Sequence, residues 1–231
     1  MKEFSIYYFT SSGMELTSLG RAVRTLAERG LKIKVRAKTS SELSKKSVIK
    51  EEIERAKGFD AIILNLHGGK SSCPIFQGLI DAIDSLQGET RPYLHIDPTP
   101  GDEDSLDAAK AHSPRYGTKE WLVIHKYLLY GGSKNLKNLL LYLKALKTGE
   151  EGSIPPPEAV PTEGIYHPDF DHSPTLQEYI AKKVDPKAPT IGLWFYQTYW
   201  LNDNLWFIDA IIREVESRGA NVIPVFHQRF K

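Results

Sequence analysis

The chain has one cysteine, Cys73, in 231 residues. A disulfide framework within the chain and an all-cysteine metal site are therefore excluded. Charge of one sign is also missing. Thirty Lys and Arg stand against 29 Asp and Glu, a formal net charge of +1. No global field would draw the chain to nucleic acid or an anionic membrane. Long hydrophobic runs are absent too: the longest uncharged apolar-rich stretch, residues 191–201, is far below the roughly 20 residues of a membrane helix. After Met1-Lys2-Glu3-Phe4 no extended apolar segment follows, so no secretory signal is expected and a reducing cytoplasm is the expected location. What remains is an ordinary globular composition, with 41% hydrophobic and 26% charged residues.

The apolar pattern alternates between strand and helix grammar. Residues 4–9 are β-branched and aromatic and end at Thr10-Ser11-Ser12-Gly13, which predicts a buried first strand. Leu16, Leu19, Val23 and Leu26 recur at helical steps and stop at Gly30. Leu31, Ile33 and Val35 alternate with Lys32, Lys34 and Arg36, a half-exposed strand. A polar helix is expected from Ser40 to Gly58, a central strand at 61–66, a helix at 75–86 and a strand at 93–96. Strands alternating with helices imply βαβ units and a parallel sheet. The fold class expected is α/β, a parallel doubly wound, flavodoxin-like sheet.

Residues 104–186 break this grammar. Two helices around Trp121–Leu128 and Leu136–Leu146 are separated by Gly131-Gly132, and a proline-rich span at 154–161 must be extended. A strand, an apolar helix and a strand then follow at 190–196, 205–218 and 221–226. The expected organisation is an N-terminal α/β domain (1–103), a helical insert and linker (104–186), and the opening of a second α/β unit (187–231). That last unit is too short to cover both faces of its own sheet. Self-association through residues 190–231, most simply as a homodimer, is the expectation.

Gly68-Gly69-Lys70-Ser71 follows a strand, as a phosphate-binding loop would. That loop also needs glycine five residues before its Gly-Lys-Ser, and Leu64 stands there. ATP binding on this stretch is therefore not expected, and no Gly-x-Gly-x-x-Gly supports a dinucleotide. His67, Gly68 and Gly69 still sit at a carboxyl strand end, where open α/β sheets bind ligands. The alternative is a plain glycine turn. In the segment 163–172, His167, Asp169 and Asp171 would share one side of an extended chain. His167 and Asp169 are thus weak metal candidates, with a structural or substrate-facing role preferred because separate segments normally supply metal ligands. Ser173-Pro174 reads as a helix cap followed by proline at the first helical position. Tyr196, Tyr199, Trp200 and Trp206 ring a strand–helix junction whose loop is Asn202-Asp203-Asn204. Trp206 is expected in the core, and Tyr199 and Trp200 against a ligand.

Three segments, in order, resemble one family. They are Tyr-Leu-Leu-Tyr-Gly-Gly-Ser-Lys-Asn-Leu-Lys-Asn-Leu-Leu at 127–140, the proline-rich run into Gly164-Ile165-Tyr166-His167-Pro168-Asp169, and residues 191–201 with Gly-Ala-Asn-Val-Ile-Pro-Val-Phe at 219–226. Together they are similar to the cobaltochelatase large subunit and magnesium chelatase H subunit, the CobN type. The resemblance implies a large polypeptide that handles a tetrapyrrole for Co²⁺ or Mg²⁺ insertion, with ATP used on separate AAA+ subunits. Such polypeptides exceed a thousand residues, so this chain would be about the first fifth, with the rest of the large subunit as its partner. No catalytic position is carried over, because the family's metal-insertion groups lie in the later body. The chain alone is expected to be inactive and to contribute scaffold and surface. The tetrapyrrole-binding candidates are His67, Gly68, Gly69, Tyr166, His167, Tyr199, Trp200 and Asn202. A non-enzymatic tetrapyrrole or metallo-cofactor carrier is the alternative, and an independent α/β enzyme using His67 and His167 a third.

Overall fold

The computed structural model describes residues 3–149 and 153–229, which divide into two compact units, 1–158 and 159–231. The first unit contains β1 (Phe4–Thr10), α1 (Leu16–Glu28), β2 (Ile33–Thr39), α2 (Lys46–Ala56), β3 (Ala61–Asn65), α3 (Phe76–Asp84), β4 (Tyr93–Asp97), α4 (Glu103–His112), α5 (Lys119–Tyr130) and α6 (Gly132–Thr148). Its four strands are all parallel in the order β2-β1-β3-β4. That is the flavodoxin-like, doubly wound arrangement expected from the sequence.

Strand alternation builds a core on each face. Tyr7, Phe9, Ile62, Leu64, Leu94 and Ile96 face α2, α3 and α4 through Ala56, Leu79, Ile83 and Ala109. Phe4, Ile6, Tyr8, Ala61 and Ile63 face α1, α5 and α6 through Leu19, Leu26, Ile124, Leu136, Leu139 and Leu143. Both α5 and α6, from the expected insert, thus cover one face of this sheet. Gly131 and Gly132 take φ values of +58° and +74°, which lets the chain reverse between them.

Two local details differ from the pattern reading. The expected helix from Ser40 is a single tight turn at Ser41–Leu43, and α2 begins only at Lys46. Leu43 is fully buried there, and Lys45 is extended, so the turn drops a leucine into the core and helix restarts after it. Helix α4 lacks an apolar stripe and its start is set by Asp102, whose side chain accepts the Ser105 N–H.

The second unit comprises β5 (Glu163–Ile165), α7 (Leu176–Lys183), β6 (Thr190–Tyr196), α8 (Gln197–Leu201), α9 (Trp206–Ser217) and β7 (Asn221–His227). Strands β6 and β7 are parallel, and β5 adds to β7 antiparallel, in the order β5-β7-β6. Its core is Phe195, Leu205, Ile208, Ile212, Val222 and Phe226. The cap of α7 is Thr175, which accepts the Glu178 N–H, two residues beyond the Ser173 expected. Ser173 instead donates its hydroxyl to the Ile165 carbonyl. Among the described residues no helix is long and apolar enough to cross a membrane.

Candidate functional site

The carboxyl edge of the first sheet is where an open α/β fold exposes ligand-binding loops. His67, Gly68 and Gly69 follow β3 at this edge, with φ of +100° and +87° at the two glycines. Their N–H groups do not point at an open cradle. Both donate to Thr99 Oγ1, at 3.0 and 3.1 Å, and Thr99 donates in turn to the Leu66 carbonyl. A Cβ on Gly69 would come within 3.1 Å of Asp102 Oδ2. Lys70 pairs with Asp104 at 2.8 Å. The glycines therefore close a turn against the loop after β4, while the His67 side chain is exposed.

A second group at this edge escaped sequence reasoning. Asp97, the last residue of β4, takes His125 Nδ1 of α5 at 2.8 Å and His95 Nε2 at 3.2 Å on the same oxygen, Oδ1. The Trp121 ring stacks on His125 with centroids 5.2 Å apart and planes 9° apart, and also touches His95. Burial opposes a charge on Asp97, yet the hydrogen bonds from both histidines outweigh it and hold the carboxyl below its usual range. The bond to Asp97 raises His125, and burial lowers the fully buried His95. The arrangement is a buried carboxylate that orients a half-exposed imidazole. Nearby, Glu15 accepts from Asn65 Nδ2 at 2.9 Å and from the Tyr8 hydroxyl at 3.2 Å. Asn65 lies beside Asp97 in the sheet register. The available signal was two polar residues, His95 and Asp97, spaced to share a face in a strand otherwise apolar. Cys73 is buried, which pushes its thiol up to about 12 and leaves it a packing residue.

The other candidates lie in the second unit, so His67, Gly68 and Gly69 belong to one unit and Tyr166, His167, Asp169, Tyr199, Trp200 and Asn202 to the other. His167 is fully buried with both ring nitrogens used. Nε2 meets Glu216 at 2.9 Å, and Nδ1 accepts the Asp169 N–H at 3.1 Å. The Asp169 carboxylate is held by Arg213 and by Lys183, and Arg213 above all keeps it well below the usual carboxylate range. Tyr166 donates to Asp209 at 2.7 Å, and burial with that carboxylate pushes its phenol up. This network ties the β5 segment, α7 and α9 together. Among the described residues no group of three His, Cys, Asp or Glu side chains is placed to hold a metal.

Trp200 is half-buried and stacks on Phe226, with centroids 4.3 Å apart and planes 9° apart. Tyr199 packs edge-on against Phe207 at 4.9 Å. Asn202 is buried, donates to the Thr198 carbonyl, and leaves its Oδ1 without a partner. The Trp206 expectation is corrected: it is 78% exposed. Helix α9 buries Ile208 and Ile212, with Leu205 just ahead of it, and Trp206 stands about 100° around the axis from Leu205.

A family model described as CobN/Magnesium Chelatase matches residues 125–231, from the second turn of α5 through the whole second unit. The match covers just under half of the chain, which over that stretch is similar to this family. An uncharacterized protein of Methanocaldococcus jannaschii is 34% identical over 110 residues, 46% of this chain and 9% of that protein. The magnesium-chelatase H subunit of Rhodobacter capsulatus is 29% identical over 114 residues, 47% of this chain and 9% of its own. The chloroplastic ChlH subunit of rice is 32% identical over 120 residues, covering 44% and 8%. These alignments thus cover less than a tenth of each relative. In three dimensions, the catalytic subunit of cobaltochelatase from Mycobacterium tuberculosis matches 98% of this chain and 16% of its own, at a TM-score of 0.58 and 21% identity. That likeness extends the shared fold across both units.

Proposed function

We propose that this CobN-type chain supplies scaffold and part of the tetrapyrrole-handling surface of a metal chelatase large subunit, for cobalamin- or chlorophyll-type cofactor synthesis. The observation that carries the reading is the family match over residues 125–231, supported by relatives named for magnesium chelation. The macrocycle is the substrate, the inserted Co²⁺ or Mg²⁺ is cargo, and ATP is used by partner AAA+ subunits. The chain acts in the cytoplasm. Tyr199 and Trp200 form the contact surface we favour, whereas Asn202 is buried. Both aromatic residues are half-buried, and the stack on Phe226 fixes the plane of the Trp200 ring.

Two measurements test this. A free-base porphyrin should quench tryptophan fluorescence with affinity no tighter than about micromolar, because the half-open surface buries little of a macrocycle. Trp200→Phe, which preserves the stack on Phe226, should weaken binding several-fold. Quenching unchanged by that variant would remove Trp200 from the surface. Separately, the chain with porphyrin, metal ion, ATP and AAA+ chelatase subunits should insert no metal above the spontaneous rate. Turnover above that rate by the wild-type chain would overturn the scaffold reading.

A further inference from the structure

Two cationic cavities lie in the first unit, and their charges are engaged differently. The groove beside β2, about 820 Å³, is lined by Lys34, Arg36, Lys38 and Arg55, with Glu3 among them. Most of its charge is answered: Arg36 is bound to the buried Glu52, Arg55 to Glu51 and Lys38 to Glu42. The second cavity, about 410 Å³, lies at the amino end of β4, between that strand, the α4–α5 loop and the last turn of α6. Arg91, Arg115 and Lys147 line it, and among the described residues no Asp or Glu does. Its size falls within the roughly 300–1,000 Å³ of small-molecule sites.

We propose that this second cavity binds a small organic acid, one carboxylate on an apolar body. Arg115 supplies the charge that receives it. Among the described residues its guanidinium meets only the Tyr93 ring, 5.9 Å from the centroid. A ring beneath a guanidinium steadies it and leaves its N–H groups for a planar carboxylate. The other two cations hold the wall together. Lys147 donates to the Arg91 carbonyl at 2.9 Å, which ties the end of α6 to the approach of β4. Arg91 pairs with Asp84 at 2.7 Å. Three cations against that one carboxylate leave the cavity positive. Lys147 also sits in the last turn of α6, where it offsets the partial negative charge of the helix's carbonyl end. The apolar body would lie against Tyr93, Leu94 and Leu146. Such walls lower the local dielectric, which strengthens a charge-assisted bond to the guanidinium. An inorganic anion would use the charge alone and leave the apolar walls wet, so an organic acid fits better. The cavity is at the opposite end of the sheet from His67 and Asp97. This inference is independent of the macrocycle reading.

Amide chemical shifts of the full chain, titrated with 2-naphthoate, test it. Shifts should move around Tyr93, Arg115 and Lys147, with a dissociation constant between about 0.1 and 1 mM for so small a ligand. 2-Naphthamide has the same body without the charge and should bind at least about tenfold more weakly. Inorganic phosphate, which lacks the body, should also bind at least about tenfold more weakly. Arg115→Gln should weaken naphthoate binding about tenfold, and Arg115→Glu should abolish it. Both variants should keep the wild-type thermal midpoint, because among the described residues the Arg115 side chain makes no hydrogen bond. No binding of naphthoate by about 10 mM overturns the proposal. So does undiminished binding to Arg115→Glu, naphthamide or phosphate bound as tightly as naphthoate, or shifts confined to another part of the chain.

Discussion

Replacing Gly164 by alanine should unfold the second unit well before the first. Gly164 lies opposite Phe226 in the β5–β7 register. An added Cβ would sit 2.5 Å from Ser173 Oγ and 2.6 Å from Phe226 Cζ. Neither neighbour yields easily. Phe226 is fully buried and held under Trp200, and Ser173 is fixed by its 2.8 Å bond to the Ile165 carbonyl. Overpacking a closed core usually costs 1–3 kcal/mol, and this double contact should cost about 3 kcal/mol. Gly192→Ala is the matched control, because its methyl group meets open space. Chemical denaturation followed by tryptophan emission would read both, since Trp194, Trp200 and Trp206 all report on this unit. A Gly164→Ala midpoint equal to that of the control would mean that β5 moves freely, and the packing described for Phe226 would be wrong.

Asp97→Ala should destabilise the first unit by about 3 kcal/mol near pH 6, the low end for breaking a buried ion pair because His125 is half-exposed. The loss should depend on pH in a defined way. His125 is raised above its ordinary 6.5, so its contribution is complete below 6.5 and disappears as pH rises through its folded value. Asp97 is lowered from 3.8, so its contribution is present above 3.8 and is lost as pH falls through its folded value. The pair is therefore strongest between 3.8 and 6.5 and weaker in mild alkali. His95 runs the other way, since its lowered value favours the fold above 6.5 and opposes it in acid. Proton-detected titration of the two imidazoles in wild type and in Asp97→Asn separates them. His125 should fall toward its ordinary value in the variant. If His125 titrates identically in both proteins, the carboxylate does not orient it.

Much of the first unit was legible because its strands are short apolar runs set between helical periods. Residues 61–66 contain no charge, and only a central parallel strand buries such a run on both faces. The stop at Gly30, with φ of +77°, was equally readable. The sites were less so. His167 was a weak metal candidate in a dense polar segment, with a structural or substrate-facing role preferred, and in the fold it is a buried hub between Glu216 and the Asp169 backbone. Its partners lie up to 49 residues away, beyond any local pattern. Asp97 and His125, 28 residues apart, met for the same reason. Trp206 was misplaced because hydrophobicity alone does not say which side of a helix faces the sheet. That depends on the 208–212 stripe and on where β6 and β7 lie.

By itself the amino-acid sequence determined the alternation of strands and helices, the parallel pairing it implies, the proline-rich break, and a resemblance to one family through motifs in linear order. These follow from local sterics and from side-chain periodicity, which act over a few residues. Only the tertiary structure decided that α5 and α6 close one face of the first sheet, and that Thr99 takes up the glycine amides beside His67. It also decided that Asp97 joins two histidines. Each of those depends on groups far apart in the chain, whose approach is set by how the whole sheet packs and not by the residues on either side.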